Sequence, residues 1–138
     1  MQVFADKCHH GKEERLLFAA MEEAGVPKEG GPLAVMLSEH GRGRQFIGEM
    51  NSLLNSYENG ESGALLVLTT PVLQYVNLLR SHIWKENNVL FPMAEKAVPA
   101  DKLKFIGEQF DLFEKAEIGQ GTHEAFHEVI DNLSKTYL

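Results

Sequence analysis

Apolar residues return at alternating steps of three and four along most of this chain of 138 residues, which is the period of an amphipathic α-helix. One stripe runs Leu33, Met36, His40, Gly43, Ile47, Met50, Leu54 and Tyr57; another runs Val72, Tyr75, Leu79, His82, Glu86, Val89 and Met93. A first helix is expected from about Met1 to Glu23, ending before Gly25-Val26-Pro27. Gly30-Gly31-Pro32 restarts the chain, with proline suited to a first helical turn. Asn59-Gly60 and Ser62-Gly63 mark the next turn. Pro71 either starts the third helix or kinks one that begins earlier, and the strand-like run from Leu65 to Thr70 has no partner strand in view. Leu103, Ile106, Phe110 and Phe113 form a fourth stripe after Pro99. A last helix, with Thr122 as N-cap, uses Phe126, Val129, Ile130, Leu133 and Tyr137. Such helices with short connections predict an all-α antiparallel bundle, and residues 1–138 read as one domain.

Composition narrows the partners. The hydrophobic share of 43% suffices for a continuous core. The formal charge of −7 argues against nucleic acid and against an anionic membrane surface. No apolar run approaches the roughly 20 residues that cross a bilayer, and MQVFADKCHH lacks the pattern of a signal peptide. Cys8 is the single cysteine, so no internal disulfide forms and a cytoplasmic protein is expected.

The informative positions are those that break the stripes. His82 and Glu86 occupy seam positions in the third helix, and His40 does so in the second. A carboxylate on a buried seam is costly unless it is paired or holds a cation. A His and a Glu four residues apart project from one face on adjacent turns. The first helix repeats the arrangement, since HHGKEERLLF parallels HIWKENNVLF and aligns His9 and Glu13 with His82 and Glu86. Two such copies together with His40 favour a metal site over chance helical similarity. His10 and Glu14 align with Ile83 and Asn87, and at about 100° per residue His10 stands away from His9; both are expected either to support the ligands from behind or to lie at the surface. Lys7, Lys12 and Lys85 read as solvated charges, Arg42 and Arg44 likewise, and Trp84 and the phenylalanines as core. Gly41 and Gly43 are expected to permit close packing beside His40. Imidazoles with carboxylates suit iron, manganese or zinc rather than calcium or magnesium. His9, Glu13, His40, His82 and Glu86 exceed the needs of one tetrahedral zinc with an open position.

These residues resemble the hemerythrin-like proteins with the HHE cation-binding domain. The similarity is carried by FADKCHHGKEERLLF, GGPLAVMLSEHGRGR, LLRSHIWKENNVLFPMAEK and GQGTHEAFHEVIDNL. It implies an antiparallel four-helix up-down bundle, here with an additional short C-terminal helix, holding a non-haem di-iron centre, with zinc or manganese as alternatives. The implied ligands are His9, Glu13, His40, His82 and Glu86, the glutamates bridging. The resemblance also implies an earlier helix with a further Glu-His pair, a position that here falls before Met1. The groove left open would make a homodimer possible. His123 lies about 60° from the centre of the last helix's apolar face and His127 about 100°. His123 is therefore the candidate for a further metal nitrogen, against the plain alternative of a polar residue near a helix start. His123-Glu124-Ala125-Phe126-His127 also matches the H-E-x-x-H pattern of zinc proteases, which we discount because only 11 residues follow His127.

The function implied is binding or sensing of dioxygen, a related small oxidant or iron, by a binding protein rather than an enzyme. The alternatives are a di-iron oxidase, peroxidase or nitric-oxide-consuming enzyme, and a metal-stabilised regulatory module.

Overall fold

The computed structural model describes Asp6, residues 9–117 and residues 122–137. The regular structure among the described residues is entirely helical. A π turn (Glu13–Leu17) leads into α1 (Phe18–Glu23), followed by α2 (Pro32–Glu58) and α3 (Ala64–Lys85). A second π turn (Glu86–Leu90) joins α3 to α4 (Phe91–Ala97); α5 (Ala100–Glu117) and α6 (Thr122–Tyr137) complete the chain. Leu65 to Thr70 is helical, and Pro71 sits buried inside α3 rather than at its start.

The glycines at two helix ends have a definite task. Gly25 (φ +92°) and Gly60 (φ +96°) take the left-handed conformation just past α1 and α2. This lets Gly25 N–H reach Glu22 O and Val26 N–H reach Met21 O, and Gly60 and Glu61 N–H reach Tyr57 and Ser56 O. Both are Schellman closures, which satisfy carbonyls that a helix end leaves open.

The helices run alternately. Glu14 meets His40 and Asp6 meets Arg44, so the N-terminal helix is antiparallel to α2. Glu39 meets His82 while the Gly43 position faces Tyr75 and Leu78, so α2 is antiparallel to α3. Lys102 pairs with Glu23 and Phe113 lies over Gly11, so α5 runs antiparallel along the N-terminal helix. The core joins Leu17, Phe18, Ala20 and Met21 with Leu33 and Met36, with Leu90, Ala94 and Val98, and with Ile106.

The buried series His82, Glu86, Leu90, Ala94 and Val98 steps by four. At α pitch such a series drifts around the helix, and the sequence period accordingly pointed to Val89 and Met93. The π turn, whose i→i+5 bonds widen the winding, brings Leu90 and Ala94 inward and leaves Val89 at the surface. Trp84, expected in the core, is 61% exposed, as is much of Phe105. Leu54 and Tyr57 are exposed at the end of α2, and Leu65, Leu66, Val67, Val72, Leu73 and Val76 on the first half of α3. The apolar residues Val129, Ile130, Leu133 and Tyr137 of α6 are exposed too.

Close packing does not require glycine beside His40. A Cβ at Gly41 meets nothing within 4 Å, and one at Gly43 meets Tyr75 and Leu78 at 3.6 and 3.8 Å, ordinary contacts. Glycine inside a helix is less favourable than alanine by about 1 kcal/mol. Gly41→Ala is therefore expected to stabilise the fold by roughly that amount, read as a raised urea midpoint with unchanged slope.

Candidate metal centre

The two π turns each begin at a glutamate of the internal repeat, Glu13 and Glu86. The repeated sequence thus corresponds to a repeated backbone irregularity, of the kind that recurs at functional sites. With His40 from α2 and His82 from α3, these carboxylates form a buried group of four. One donor atom from each of Glu13, His40, His82 and Glu86 lies within 4.8 Å of the others.

The donors are short of partners. Both oxygens of Glu13, His40 Nε2 and His82 Nε2 are buried without a hydrogen bond. His40 Nε2 stands 3.4 Å from Glu13 Oε2, and His82 Nε2 stands 2.8 Å from Glu86 Oε1. Buried polar atoms are ordinarily satisfied, so several orphans pointing at one place mark a position for a cation.

The opposite edges of the same imidazoles are tied down. His40 Nδ1 donates to Glu14 Oε1 at 2.7 Å, and His82 Nδ1 donates to Glu39 Oε2 at 3.0 Å. Arg44 holds Glu14 at 2.8 Å and Asp6 at 2.6 Å, while Lys85 donates to Glu39. A carboxylate on Nδ1 fixes the tautomer and leaves the Nε2 lone pair for a metal, which is how proteins orient metal-binding histidines. Glu14, Glu39, Arg44 and Lys85 therefore belong to the site's support. Glu14 takes the supporting alternative of the two expected for it, while Arg44 and Lys85, expected as solvated charges, are drawn in by pairings that cross between helices and leave no spacing signal.

His9 sits at the rim. Its side chain is 49% exposed, and its Nε2 donates to Glu86 Oε1 at 3.3 Å and lies 3.8 Å from Glu13 Oε2. His10 is buried, which takes the supporting alternative rather than the surface one. Asp6, His9 and His10 are wound as a π-helix, so counting at α pitch does not place these rings. The His10 ring stacks on His40 with centroids 3.9 Å apart, and Phe18 covers the next layer at 5.8 Å from His40. The side chain of His123, and Cys8, lie outside the described residues; His127 is exposed on α6.

Charge follows this geometry. Burial alone would raise the Glu86 pKa, but His82 and His9 outweigh it and hold the carboxyl far below the usual range. Burial lowers the His82 pKa, and the Glu86 and Glu39 carboxylates reverse this to a net rise. The hydrogen bond to Glu86 raises the His9 pKa. His10 goes the other way: burial, then the neighbouring His40, His9 and His82, bring it down to about 4. Its ring is therefore neutral near neutral pH. For Glu14 and Glu39, burial is outweighed by Arg44 with His40 and by Lys85 with His82, and both pKa values fall.

The donor set fits non-haem iron: mixed imidazole and carboxylate, with oxygens free to reach two ions. Comparison with known proteins agrees on a cation site. A family profile described as the hemerythrin HHE cation binding domain matches residues 3–102. The iron-sulfur cluster repair protein YtfE of Dickeya chrysanthemi (strain Ech1591) is 34% identical over 88 residues, covering 62% of this chain and 40% of that protein. The proteins of the same description from Edwardsiella ictaluri (strain 93-146) and Yersinia pestis (strain Pestoides F) are each 31% identical over the same shares. The chain thus spans about two-fifths of the length of these relatives. No solved structure matches significantly.

Proposed function

The chain belongs to the hemerythrin HHE cation-binding domain family, and from that premise we propose that it holds a pair of non-haem irons at which dioxygen or a related small oxidant is bound or sensed. Glu13 and Glu86 are the bridging carboxylates in this reading; His9, His40 and His82 are nitrogen ligands, and His123 is a candidate for another. The fold proposed with it is a four-helix up-down bundle in which α5 takes the fourth position. The observation that carries the reading is the convergence of four buried donors, several of them without any other partner.

Iron in such a site supplies reversible electron transfer to a small oxidant at an open coordination position. The residues of the chain do the rest. Glu14 and Glu39 aim the two buried imidazoles. Phe18, Leu17 and Leu90 keep the neighbourhood apolar and limit water. His9, half exposed at the rim, is the ligand nearest an entry route.

Titration of metal-free protein with Fe²⁺ under anaerobic conditions tests this. Two tightly bound ions per chain and a change of absorption on admitting oxygen are expected. Failure to bind iron tightly would overturn the reading. A second reading, delivery of iron during repair of damaged clusters, is favoured by the description carried by the relatives. It predicts that bound iron leaves for a cluster-deficient acceptor protein, and iron retained through that incubation would sink it.

A further inference from the structure

From Ala64 to Leu79, α3 carries no charged residue, in a chain whose formal charge is −7. Pro71, Tyr75 and Leu78 are buried on the side turned to α2, where the Gly43 position faces the last two. At about 100° per residue, Leu66 and Leu73 stand on the opposite side of the helix, and they are 81% and 62% exposed. A helix that is apolar all round belongs in an interior, yet this stretch is covered toward α2 and open elsewhere. α6 presents the converse. Val129, Ile130, Leu133 and Tyr137 form one apolar stripe, all exposed, while Glu124, Glu128, Asp131 and Lys135 occupy the other side of the helix. We propose that the chain pairs with a second copy of itself, α6 of each copy lying along the outer side of Ala64–Leu79 in its partner.

Three observations support this occupant. The first is length: at 1.5 Å per residue, α6 and the stretch Ala64–Leu79 each run about 24 Å, so one covers the other end to end. The second is reciprocity. In the single chain both surfaces stand open, and a second copy closes both at once, because each copy offers one uncovered helix side and one helix without a seat. Such an arrangement is self-complementary about a twofold axis. The third is area. The exposed apolar side chains of these two surfaces together present on the order of 1,000 Å² per copy, against roughly 800 Å² per partner in a stable complex. The seat is made by laying the apolar stripe of an amphipathic helix on an apolar surface, and the acidic side of α6 stays in water.

Sedimentation of the full chain over a concentration series tests the pairing. The wild type should sediment at twice the mass of one chain. Leu73→Asp and Ile130→Asp each place a charge at the interface twice per dimer and should weaken association by more than ~100-fold. Both side chains are exposed in the single chain, so helix content and Fe²⁺ uptake should stay as in the wild type, which separates loss of the dimer from loss of the metal centre. Phe105→Asp, at an exposed apolar position on α5, should leave the mass unchanged. In a Cys8→Ser background, chains carrying Leu73→Cys mixed with chains carrying Leu133→Cys should form, on oxidation, a disulfide-linked species of twice the mass. A monomeric wild type would overturn the inference. So would a dimer that survives Ile130→Asp, or a chain carrying both cysteines that closes on itself instead of on a partner.

Discussion

Glu86→Ala is expected to lose tight iron binding: anaerobic titration should show affinity for Fe²⁺ weakened by more than ~100-fold, and fewer ions bound per chain. Glu86 presents one oxygen to two imidazoles, 2.8 Å from His82 Nε2 and 3.3 Å from His9 Nε2. Its removal takes away a carboxylate of the proposed iron site and leaves both rings without their shared partner. Glu14→Ala is the control. That carboxylate touches the far edge of His40 and is itself held by Arg44, so its loss misaims a ligand without deleting one. A weakening of ~10-fold at unchanged stoichiometry is expected. Equal losses in the two variants would contradict the ligand set drawn from the repeat.

The second large effect concerns acid. In the metal-free protein, His10 carries a folded pKa of about 4 against an ordinary 6.5. Above pH 6.5 the ring is neutral whether the chain is folded or not, and its contribution to stability is complete. As pH falls from 6.5 to 4 the unfolded chain takes up the proton first, so stability is lost across that interval; the difference corresponds to about 3 kcal/mol. His9 and His82, whose pKa values are raised, act in the opposite sense: their contribution is present below 6.5 and lost as pH rises through their folded values. Glu86, Glu14 and Glu39, all lowered, contribute above the ordinary carboxylate range and lose that as pH falls through their folded values. The His10 component is isolated by comparing wild type with His10→Gln in urea unfolding at pH 7 and at pH 4. The wild type should lose more stability than the variant over this range, and parallel losses would show that His10 is not buried as described.

Much of this was legible in the chain. The stripes placed α2, α3, α5 and α6, and HHGKEERLLF beside HIWKENNVLF singled out His9, Glu13, His82 and Glu86, which the structure brings together with His40. What periodicity missed has one main cause. Counting at 3.6 residues per turn cannot register a π turn, so Val89 and Met93 stood in for Leu90 and Ala94. The supports Glu14–Arg44 and Glu39–Lys85 connect separate helices; no local spacing encodes them. Trp84 was misjudged because a large apolar ring at a helical position suggests core, whereas here it stands on the outward side of α3.

The π turns also bear on what this fold tolerates. Each joins a stretch of helix aimed at the ligands to a stretch aimed at the apolar core, and the surplus residue adjusts the phase between them. Ordinary α winding over the same number of residues would carry Leu90, eight residues after His82, about 80° around the helix from it, whereas the π turn keeps both inward. Asn87 and Asn88 point outward and can vary in identity. It is the match between the surplus residue and the widened turn, more than the chemistry of these asparagines, that keeps donors and core on one side of the helix.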